Sequence, residues 1–323
     1  MNDVQPWWRG FAVRGIFWRK SLDWSVVNIP SFFHPFLIFF WTTFFFFFAA
    51  PARRTIHRQL AIILPGSSPL VNYLRTFRTF YNFAWTLTDA AIYRLLRGRF
   101  TYELAGEKFL NALATSERAI ILTAHMGNYD LGAALFIEKF QREIRMVRAP
   151  EPDRRTAQHV DLSLERSSGG AMKVDYSSEG TSLSFDLVAA LRAGQIIAIQ
   201  GDRVMGDMAR SATALFGREV FLPTGPFVLS LVAETPIYPL FIVRKGFRKY
   251  AIIAHEPITC LKGDRPREIE IASALQEWSR LLEENITRYW HQWYAFTPVF
   301  SDPSEMEQIE IPTHKRIAEE HPA

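Results

Sequence analysis

The chain has 323 residues, of which 48% are hydrophobic and 22% are charged, and this composition excludes a wholly disordered protein. Its formal net charge is +4, a mild excess that suits anionic lipid headgroups, an acidic protein or nucleic acid. Zinc-finger spacing, an aromatic-basic RNA-binding signature and a basic heptad region are all absent from the sequence, which leaves nucleic acid as the weakest of the three. The single cysteine, Cys260, excludes an intrachain disulfide and a cysteine metal cluster, and we interpret it as an inert thiol.

The first predicted element is an aromatic segment at residues 31–50. Ten of its twenty residues are Phe, and none is Asp, Glu, Lys or Arg. About twenty apolar residues can cross a bilayer core of roughly 30 Å, but the uninterrupted apolar run begins only at Phe36, so a kinked or shallow insertion is an alternative to a span. Arginines on both flanks are typical of an in-plane or cytoplasm-facing anchor. Residues 1–60 are therefore predicted to be a basic segment followed by a membrane anchor.

The next unit, residues 61–300, is predicted to be the catalytic domain, and residues 301–323 a polar tail. The catalytic domain is predicted to begin with an amphipathic helix over Pro69–Leu96. This helix packs on the rest of the domain, offers a basic rim to anionic headgroups, or does both. Short apolar runs then alternate with helical stretches. Strands are predicted at 119–123, 144–147, 172–175, 195–200, 237–243 and 250–255, with helices at 131–140, 154–165, 181–192, 227–233 and 269–289. This alternation predicts an α/β fold with a mostly parallel central sheet flanked by helices, and ligands at the carboxyl ends of strands.

The segment that carries candidate chemistry is residues 123–132, which read TAHMGNYDLG. His125 follows a predicted strand, and Asp130 lies in the first turn of the next helix. We predict that the Asp130 carboxylate binds one imidazole nitrogen and fixes the tautomer, so that the other nitrogen can take a proton from a hydroxyl nucleophile. The structural alternative is that Asn128 caps the helix, Asp130 stabilises its dipole and His125 is an ordinary loop histidine. Spacing alone favours that alternative.

The same segment resembles the His-x-x-x-x-Asp/Glu motif of glycerolipid and lipid A acyltransferases. Its fuller string, His-x-Gly-Asn-Tyr-Asp, resembles the lauroyl and myristoyl transferases of lipid A biosynthesis and the mycobacterial phosphatidylinositol-mannoside acyltransferases. Further matches occur in the family's order at residues 146–150, 201–203, 216–226 and 233–239. The third motif lacks the Glu-Gly pair of glycerol-phosphate acyltransferases, so the resemblance does not imply that substrate class.

The resemblance implies an acyltransferase at the cytoplasmic face of the inner membrane. It would move a fatty acyl chain from an acyl carrier protein thioester to a hydroxyl of a lipid A-like glycolipid, with no metal or redox cofactor. Acyl-CoA as donor to a lysophospholipid or other lipid, and a non-catalytic membrane-anchored homologue, are the alternatives. A serine hydrolase or a nucleotide enzyme is disfavoured because the sequence has no Gly-x-Ser-x-Gly elbow, P-loop or Gly-x-Gly-x-x-Gly.

By the resemblance, Arg148 and Arg203 bind a substrate phosphate or carboxylate, although either could pair instead with a nearby acid, Glu151 or Asp202. Thr224 and Gly225 open a helix whose free N–H groups could bind an oxyanion or phosphate, or they are ordinary helix-start residues.

Two basic groups are expected to be solvated or to dock an acidic carrier protein. They are Arg244, Lys245, Arg248 and Lys249, and alternatively Arg142, Arg145, Arg154 and Arg155. The aromatic segment at residues 290–294 is predicted to pack beside the active domain, and its His291 is a weaker candidate for the base.

Overall fold

The computed structural model describes residues 16–149, 154–177, 180–205, 208–260 and 265–300. The described part begins with four helices, which are α1 (Ile16–Asn28), α2 (His34–Phe48), α3 (Ala50–Ile63) and α4 (Pro69–Leu96), with a 3-10 turn at Ser31–Phe33. The predicted helix at Pro69–Leu96 is confirmed. The first fifteen residues and the predicted polar tail, residues 301–323, lie outside the described residues.

Local sequence explains where α4 begins and ends. The Ser68 hydroxyl accepts a hydrogen bond from the Val71 N–H at 3.3 Å, and Pro69 stands at the first helical position. The helix ends at Arg97, which has a left-handed backbone with φ of 48°. Helices α1, α2 and α3 all pack along α4, so the N-terminal helices form one layer around it.

Within the described residues, Ser31–Phe48 is the one segment long and apolar enough to cross a membrane, judged by length and composition, and 22% of it is buried. The predicted anchor therefore corresponds to α2 and the turn before it. Its helix is shorter than the predicted segment, because α2 ends at Phe48 and α3 begins again at Ala50. Because one side of α2 packs against α4, only its other sides can contact a bilayer.

Seven of the described strands form the central sheet in the order β1-β9-β8-β2-β5-β3-β4. Their bounds are β1 Thr101–Ala105, β2 Ala119–Thr123, β3 Ile144–Arg148, β4 Met172–Tyr176, β5 Ile196–Gln200, β8 Ile237–Gly246 and β9 Lys249–Ala254. β8, β2, β5, β3 and β4 are parallel, whereas β9 runs antiparallel to β8 and parallel to β1. The predicted fold class, a mostly parallel sheet flanked by helices, is confirmed.

Helices cover both faces of the sheet, and their bounds are α5 Glu107–Thr115, α6 Tyr129–Phe140, α7 Arg154–Ser168, α8 Gly180–Arg192, α9 Gly225–Ala233 and α10 Arg267–Tyr289. Alternate residues of β2 enter opposite cores: Ile120 packs with α8, α9 and α10, and Ile121 with α5, α6 and α7. Burial on both faces explains why the parallel strands are continuously apolar. Cys260 is 3% exposed, and burial raises the pKa of its thiol, which agrees with an inert role.

Helices α1, α3 and α5 were not predicted, and neither were two features of the strands. β1 is an edge strand whose residues alternate between half-buried and exposed, so it lacks the apolar run that marked the central strands. A separate antiparallel hairpin joins β6 (Arg210–Leu215) and β7 (Arg218–Pro223). Its Phe216–Gly217 turn has positive φ at both residues, 52° and 69°, and Phe is an unusual residue at such a position.

Candidate active site

The His125 ring is held by a carboxylate from the neighbouring strand. His125 Nδ1 lies 2.7 Å from Oδ1 of Asp202, which is fully buried just beyond β5. The other oxygen of Asp202 accepts the indole N–H of Trp293 at 2.9 Å. Because a carboxylate only accepts hydrogen bonds, Nδ1 carries the ring proton and Nε2 is left to accept one. The His125 side chain is 17% exposed, so the ring is not sealed inside the core.

The electrostatics of this pair favour a neutral ring. Burial lowers the pKa of His125 below its ordinary value, the charges of Arg203 and Arg148 lower it further, and Asp202 offsets part of the shift. Burial by itself raises the pKa of the Asp202 carboxyl, but His125, Arg203 and the Trp293 N–H outweigh it and hold that pKa below its ordinary value. At neutral pH the arrangement is an uncharged imidazole on an ionised carboxylate, which is the state that a general base requires.

Asp130 has a different partner from the one predicted. Its Oδ1 accepts the Arg148 guanidinium at 2.6 Å, and within the described residues the His125 ring bonds to Asp202 instead. The prediction that Asp130 orients His125 was therefore wrong about which carboxylate does so. Asp130 sits in the first turn of α6, where it is one-third exposed and meets the end of β3. The alternative partner considered for Arg148, Glu151, lies outside the described residues.

Both arginines expected at the site are near enough to His125 for their positive charges to lower the pKa of its ring. Arg203 Nη1 is 3.4 Å from the carbonyl oxygen of Tyr294 and 3.5 Å from the Thr297 hydroxyl. Tyr129 was not predicted at the site, yet its ring lies near both His125 and Arg148. Its centroid is 6.0 Å from that of His125 and 5.9 Å from the Arg148 guanidinium carbon.

Thr224 and Gly225 stand at the start of α9, after the β6–β7 hairpin. The Thr224 N–H donates to the Ala209 carbonyl, and its side chain makes no capping bond. Within the described ranges, His125 has no hydrogen bond to either residue. The structure thus brings together His125, Arg148 and Arg203 but does not join Thr224 and Gly225 to them.

The backbone of the His125 loop is clamped by the segment at residues 290–294. The Tyr294 N–H donates to the His125 carbonyl at 2.7 Å, and the Gly127 N–H donates to the Gln292 carbonyl at 2.9 Å. Trp293 forms an antiparallel bridge with Met126 and also supports Asp202 through its indole. The packing role predicted for this segment is confirmed, and the segment also holds the loop that carries His125.

His291 differs from His125 in its surroundings. Burial lowers the pKa of His291 to about 4, with a further contribution from Arg78. Its ring lies 3.4 Å from the Gln292 amide nitrogen, and in the described part of the chain no carboxylate bonds to it. Since an orienting carboxylate is what fixes a tautomer for proton transfer, His291 is the poorer base.

Gly127 permits a close approach between the loop and β8. Its φ is +56°, and a Cβ at this position would stand 1.6 Å from the Ile242 carbonyl oxygen. That same oxygen accepts the Asn128 N–H at 3.2 Å. Glycine is therefore required here by space as well as by backbone conformation.

Asn128 ties the loop to α4. Its Oδ1 caps α6 by accepting the Leu131 N–H, so the capping role considered for it is confirmed. Its Nδ2 donates to the Thr86 carbonyl at 3.0 Å and to the Tyr250 hydroxyl at 3.3 Å. The Tyr250 hydroxyl in turn donates to Asp89 of α4 at 2.7 Å. The motif asparagine thus joins the first turn of α6, α4 and β9.

Arg244 completes this buried network. Its Nε lies 3.2 Å from Asp89, its guanidinium stacks 4.3 Å from the Trp85 ring centroid, and it is 14% exposed. Burial raises the pKa of Asp89 above its ordinary value, while Tyr250 and Arg244 offset part of the shift. Arg244 is thus not a solvated residue of a docking strip, and that part of the prediction was wrong.

In the alternative basic group, residues 142, 145, 154 and 155, two arginines are hydrogen-bonded within the protein. Arg142 donates to the carbonyls of Ala114 and Ser116, and Arg145 makes two hydrogen bonds to Asp175. The side chains of Arg154 and Arg155 lie outside the described residues. Docking of an acidic carrier protein stays a prediction, and fewer of the basic side chains support it than the sequence suggested.

Comparison with known proteins identifies the family. The sequence profile of the family described as bacterial lipid A biosynthesis acyltransferase matches residues 14–301, which include the N-terminal helices, the whole sheet and the closing segment. No curated protein matches the chain. Because the match covers most of the chain, this protein belongs to the bacterial lipid A biosynthesis acyltransferase family and is an acyltransferase.

Proposed function

We propose that the protein transfers a fatty acyl chain from an acyl thioester to a hydroxyl of a lipid A-like membrane glycolipid, with His125 as the general base. Family membership supports acyl transfer. The observation that carries the assignment of the base is the 2.7 Å contact between His125 Nδ1 and the buried Asp202 carboxylate. This contact leaves Nε2 as the proton acceptor at the carboxyl end of the sheet, where parallel α/β folds bind ligands.

The proposed reaction begins when His125 Nε2 removes the proton from the acceptor hydroxyl. The oxygen attacks the thioester carbonyl, forming a C–O bond and a tetrahedral oxyanion. The C–S bond then breaks, the carbonyl re-forms as an ester, and the leaving sulfur takes up the proton held by His125. Asp202 stabilises the imidazolium that exists between these two proton transfers without accepting the proton itself. No redox step or cofactor is invoked, because the thioester supplies the activated acyl group.

Arg148 and Arg203 are proposed to contact the substrates. Their positive charges lie close enough to depress the pKa of His125, so they also lie close enough to favour negative charge developing on the substrate. In this proposal Asp130 positions the Arg148 guanidinium through their 2.6 Å contact. Thr224 and Gly225 are retained as candidate substrate contacts at the start of α9.

The donor is proposed to be acyl carrier protein, and the location the cytoplasmic face of the inner membrane. Members of the family are typically membrane-associated, and the apolar α2 supports that location. Cationic residues that remain exposed on the β8–β9 hairpin, Lys245 and Lys249, are the surface offered to an acidic carrier.

The test compares His125→Ala with His291→Gln in membranes supplied with labelled acyl thioester. His125→Ala is expected to abolish transfer to lipid, whereas His291→Gln keeps it within a few-fold of wild type. Parallel reactions with acyl carrier protein and coenzyme A thioesters identify the donor, and lipid profiling of a strain lacking the protein identifies the acceptor. Equal turnover by wild type and His125→Ala would overturn the assignment and leave a homologue with another base or no activity.

A further inference from the structure

Helix α2 has one buried side and an otherwise exposed aromatic surface. The buried residues fall at every fourth position: His34, Ile38, Thr42 and Phe46. Five of its phenylalanines are more than half exposed, namely Phe36, Phe39, Phe40, Phe47 and Phe48. An apolar patch of this kind requires a cover, and rings on one side of a helix suit the boundary between lipid headgroups and acyl chains.

The buried side of α2 is joined to the catalytic body. The Phe46 ring centroid lies 5.5 Å from that of Phe80 on α4, and Phe80 lies 5.3 Å from Phe296. Phe296 follows Tyr294, whose N–H donates to the carbonyl of His125. Only a few contacts therefore separate α2 from the catalytic loop. A bilayer that surrounded α2 on all sides would have to displace or enclose the closing segment.

The packing of α2 on α4 also disfavours a helix that is surrounded by lipid on all sides. The Phe39 ring lies 5.7 Å from that of Phe77, and the Phe46 ring lies 5.0 Å, 5.3 Å and 5.5 Å from those of Tyr73, Phe77 and Phe80, so α2 packs against residues 73–80 of α4. The α4 segment beside α2 also carries Arg75 and Arg78, whose guanidinium carbons lie 5.8 Å and 5.4 Å from the Trp290 ring. If α2 crossed the membrane, this arginine-bearing part of α4 would be drawn against the bilayer beside it, and charged groups that enter the hydrocarbon are costly.

The length of α2 and the distribution of charge around it also favour a helix that lies in the plane of the membrane. The 15 residues of α2 by themselves rise about 22 Å, short of a hydrocarbon core of roughly 30 Å, so a span would have to include the 3-10 turn at Ser31–Phe33. Residues 24–88 contain no Asp or Glu but five arginines. Two of these, Arg54 and Arg58, are exposed one turn apart on α3, immediately after α2. A cationic row next to an aromatic helix is complementary to anionic lipid phosphates.

We propose that α2 is an in-plane anchor that docks on an anionic bilayer and does not cross it. Its exposed phenylalanines enter the interface, Arg54 and Arg58 meet lipid phosphates, and both ends of the helix stay on the same side of the membrane. The proposal rests on the membrane localisation proposed above, but it is independent of the chemistry at His125.

Topology is tested with single cysteines at exposed positions on either side of α2, Ser31→Cys and Arg54→Cys, in the full-length chain. The native Cys260 is buried, and Cys260→Ser removes any background. A membrane-impermeant maleimide is expected to label both positions in inverted vesicles and neither in right-side-out vesicles. Labelling of the two positions from opposite sides would show that α2 spans the bilayer and would overturn the proposal.

The lipid preference is tested by diluting the full-length protein from detergent into vesicles of phosphatidylcholine with or without phosphatidylglycerol. Arg54→Gln/Arg58→Gln is expected to lose several-fold in binding to the anionic vesicles and to flatten the salt dependence. The matched control is Arg192→Gln/Arg218→Gln, at exposed sites on α8 and β7. Equal losses in both double variants would overturn the role of the α3 arginines. Acyl transfer measured in the same vesicles separates a failure of docking from a failure of catalysis.

Discussion

The Nδ1 atom of His125 lies 2.7 Å from Oδ1 of Asp202, although 77 positions separate the two residues in the chain. The contact exists because β2 and β5 are parallel neighbours, which brings their carboxyl ends to the same edge of the sheet. Trp293 donates to the second oxygen of Asp202, so the carboxylate cannot rotate away without losing a buried hydrogen bond. The ring is thus fixed in the tautomer that leaves Nε2 free to accept a proton.

Asp202→Asn is expected to lower kcat by about 10²- to 10⁴-fold, because an amide neither fixes the tautomer nor stabilises the imidazolium. The Asp202 charge raises the pKa of His125, so its removal lowers that pKa and moves the acid limb of the pH profile to lower pH. Steady-state kinetics across pH measures both effects. Asp175→Asn, at the carboxylate paired with Arg145, is the control, and an unchanged kcat in Asp202→Asn would contradict the assignment.

The wild-type protein should show an acid limb below the ordinary histidine value of 6.5. Burial, Arg203 and Arg148 together depress the pKa of His125 in the folded protein. Proton acceptance requires the neutral ring, so kcat stays constant as pH falls to about 6.5 and declines only as pH falls through the depressed pKa. A half-maximal rate at or above pH 6.5 would show that another group controls the step.

Arg148→Gln should move the same limb in the opposite direction. Loss of this positive charge raises the pKa of His125 toward its ordinary value, and the acid limb shifts to higher pH. Because Arg148 and Asp130 are in contact, we expect the effects of Arg148→Gln and Asp130→Asn on kcat/KM not to add up to the effect of the double variant. The expected coupling free energy is about 0.5–3 kcal/mol. Full additivity would mean that Asp130 acts independently of Arg148.

Gly127→Ala is expected to destabilise the fold by more than 2 kcal/mol, roughly the combined effect of left-handed strain and overpacking. The added Cβ would meet the Ile242 carbonyl oxygen at 1.6 Å. Gly217→Ala is the matched control, because Gly217 also has positive φ but nothing lies within 4 Å of its Cβ position. Urea unfolding measures the free energy of unfolding, and equal losses in the two variants would show that only backbone strain matters.

Asp89→Asn should cost about 3–5 kcal/mol of unfolding free energy, since it leaves Arg244 buried beside a neutral group. The comparison is Glu277→Gln, which breaks an exposed ion pair with Arg280 and should cost no more than about 1 kcal/mol. Because Asp89 also holds Tyr250, which bonds to Asn128, Asp89→Asn is expected to reduce kcat as well. Similar stabilities for the two variants would contradict the structural role of the network.

Several features of this protein are determined by local sequence. The apolar runs place the five parallel strands to within a few residues, Ser68 and Pro69 start α4, and the order of motifs indicates the acyltransferase family. The position of His125 at the carboxyl end of β2 follows from the strand that precedes it. Each of these depends on hydrophobic period or capping within a short stretch of chain, and such patterns are visible without tertiary structure.

The partners of the site residues were decided by tertiary structure. Asp130 is closer to His125 along the chain than Asp202 is. The strand order nevertheless places β5 beside β2, so that the His125 ring contacts Asp202. The one available signal was that Asp202 also follows a central strand. Arg244 was predicted to be solvated, but Asp89 and Trp85 enclose it, and the side of α2 that packs on α4 is likewise visible only in the structure. Such contacts join residues far apart in the chain, so only the arrangement of strands and helices determines them.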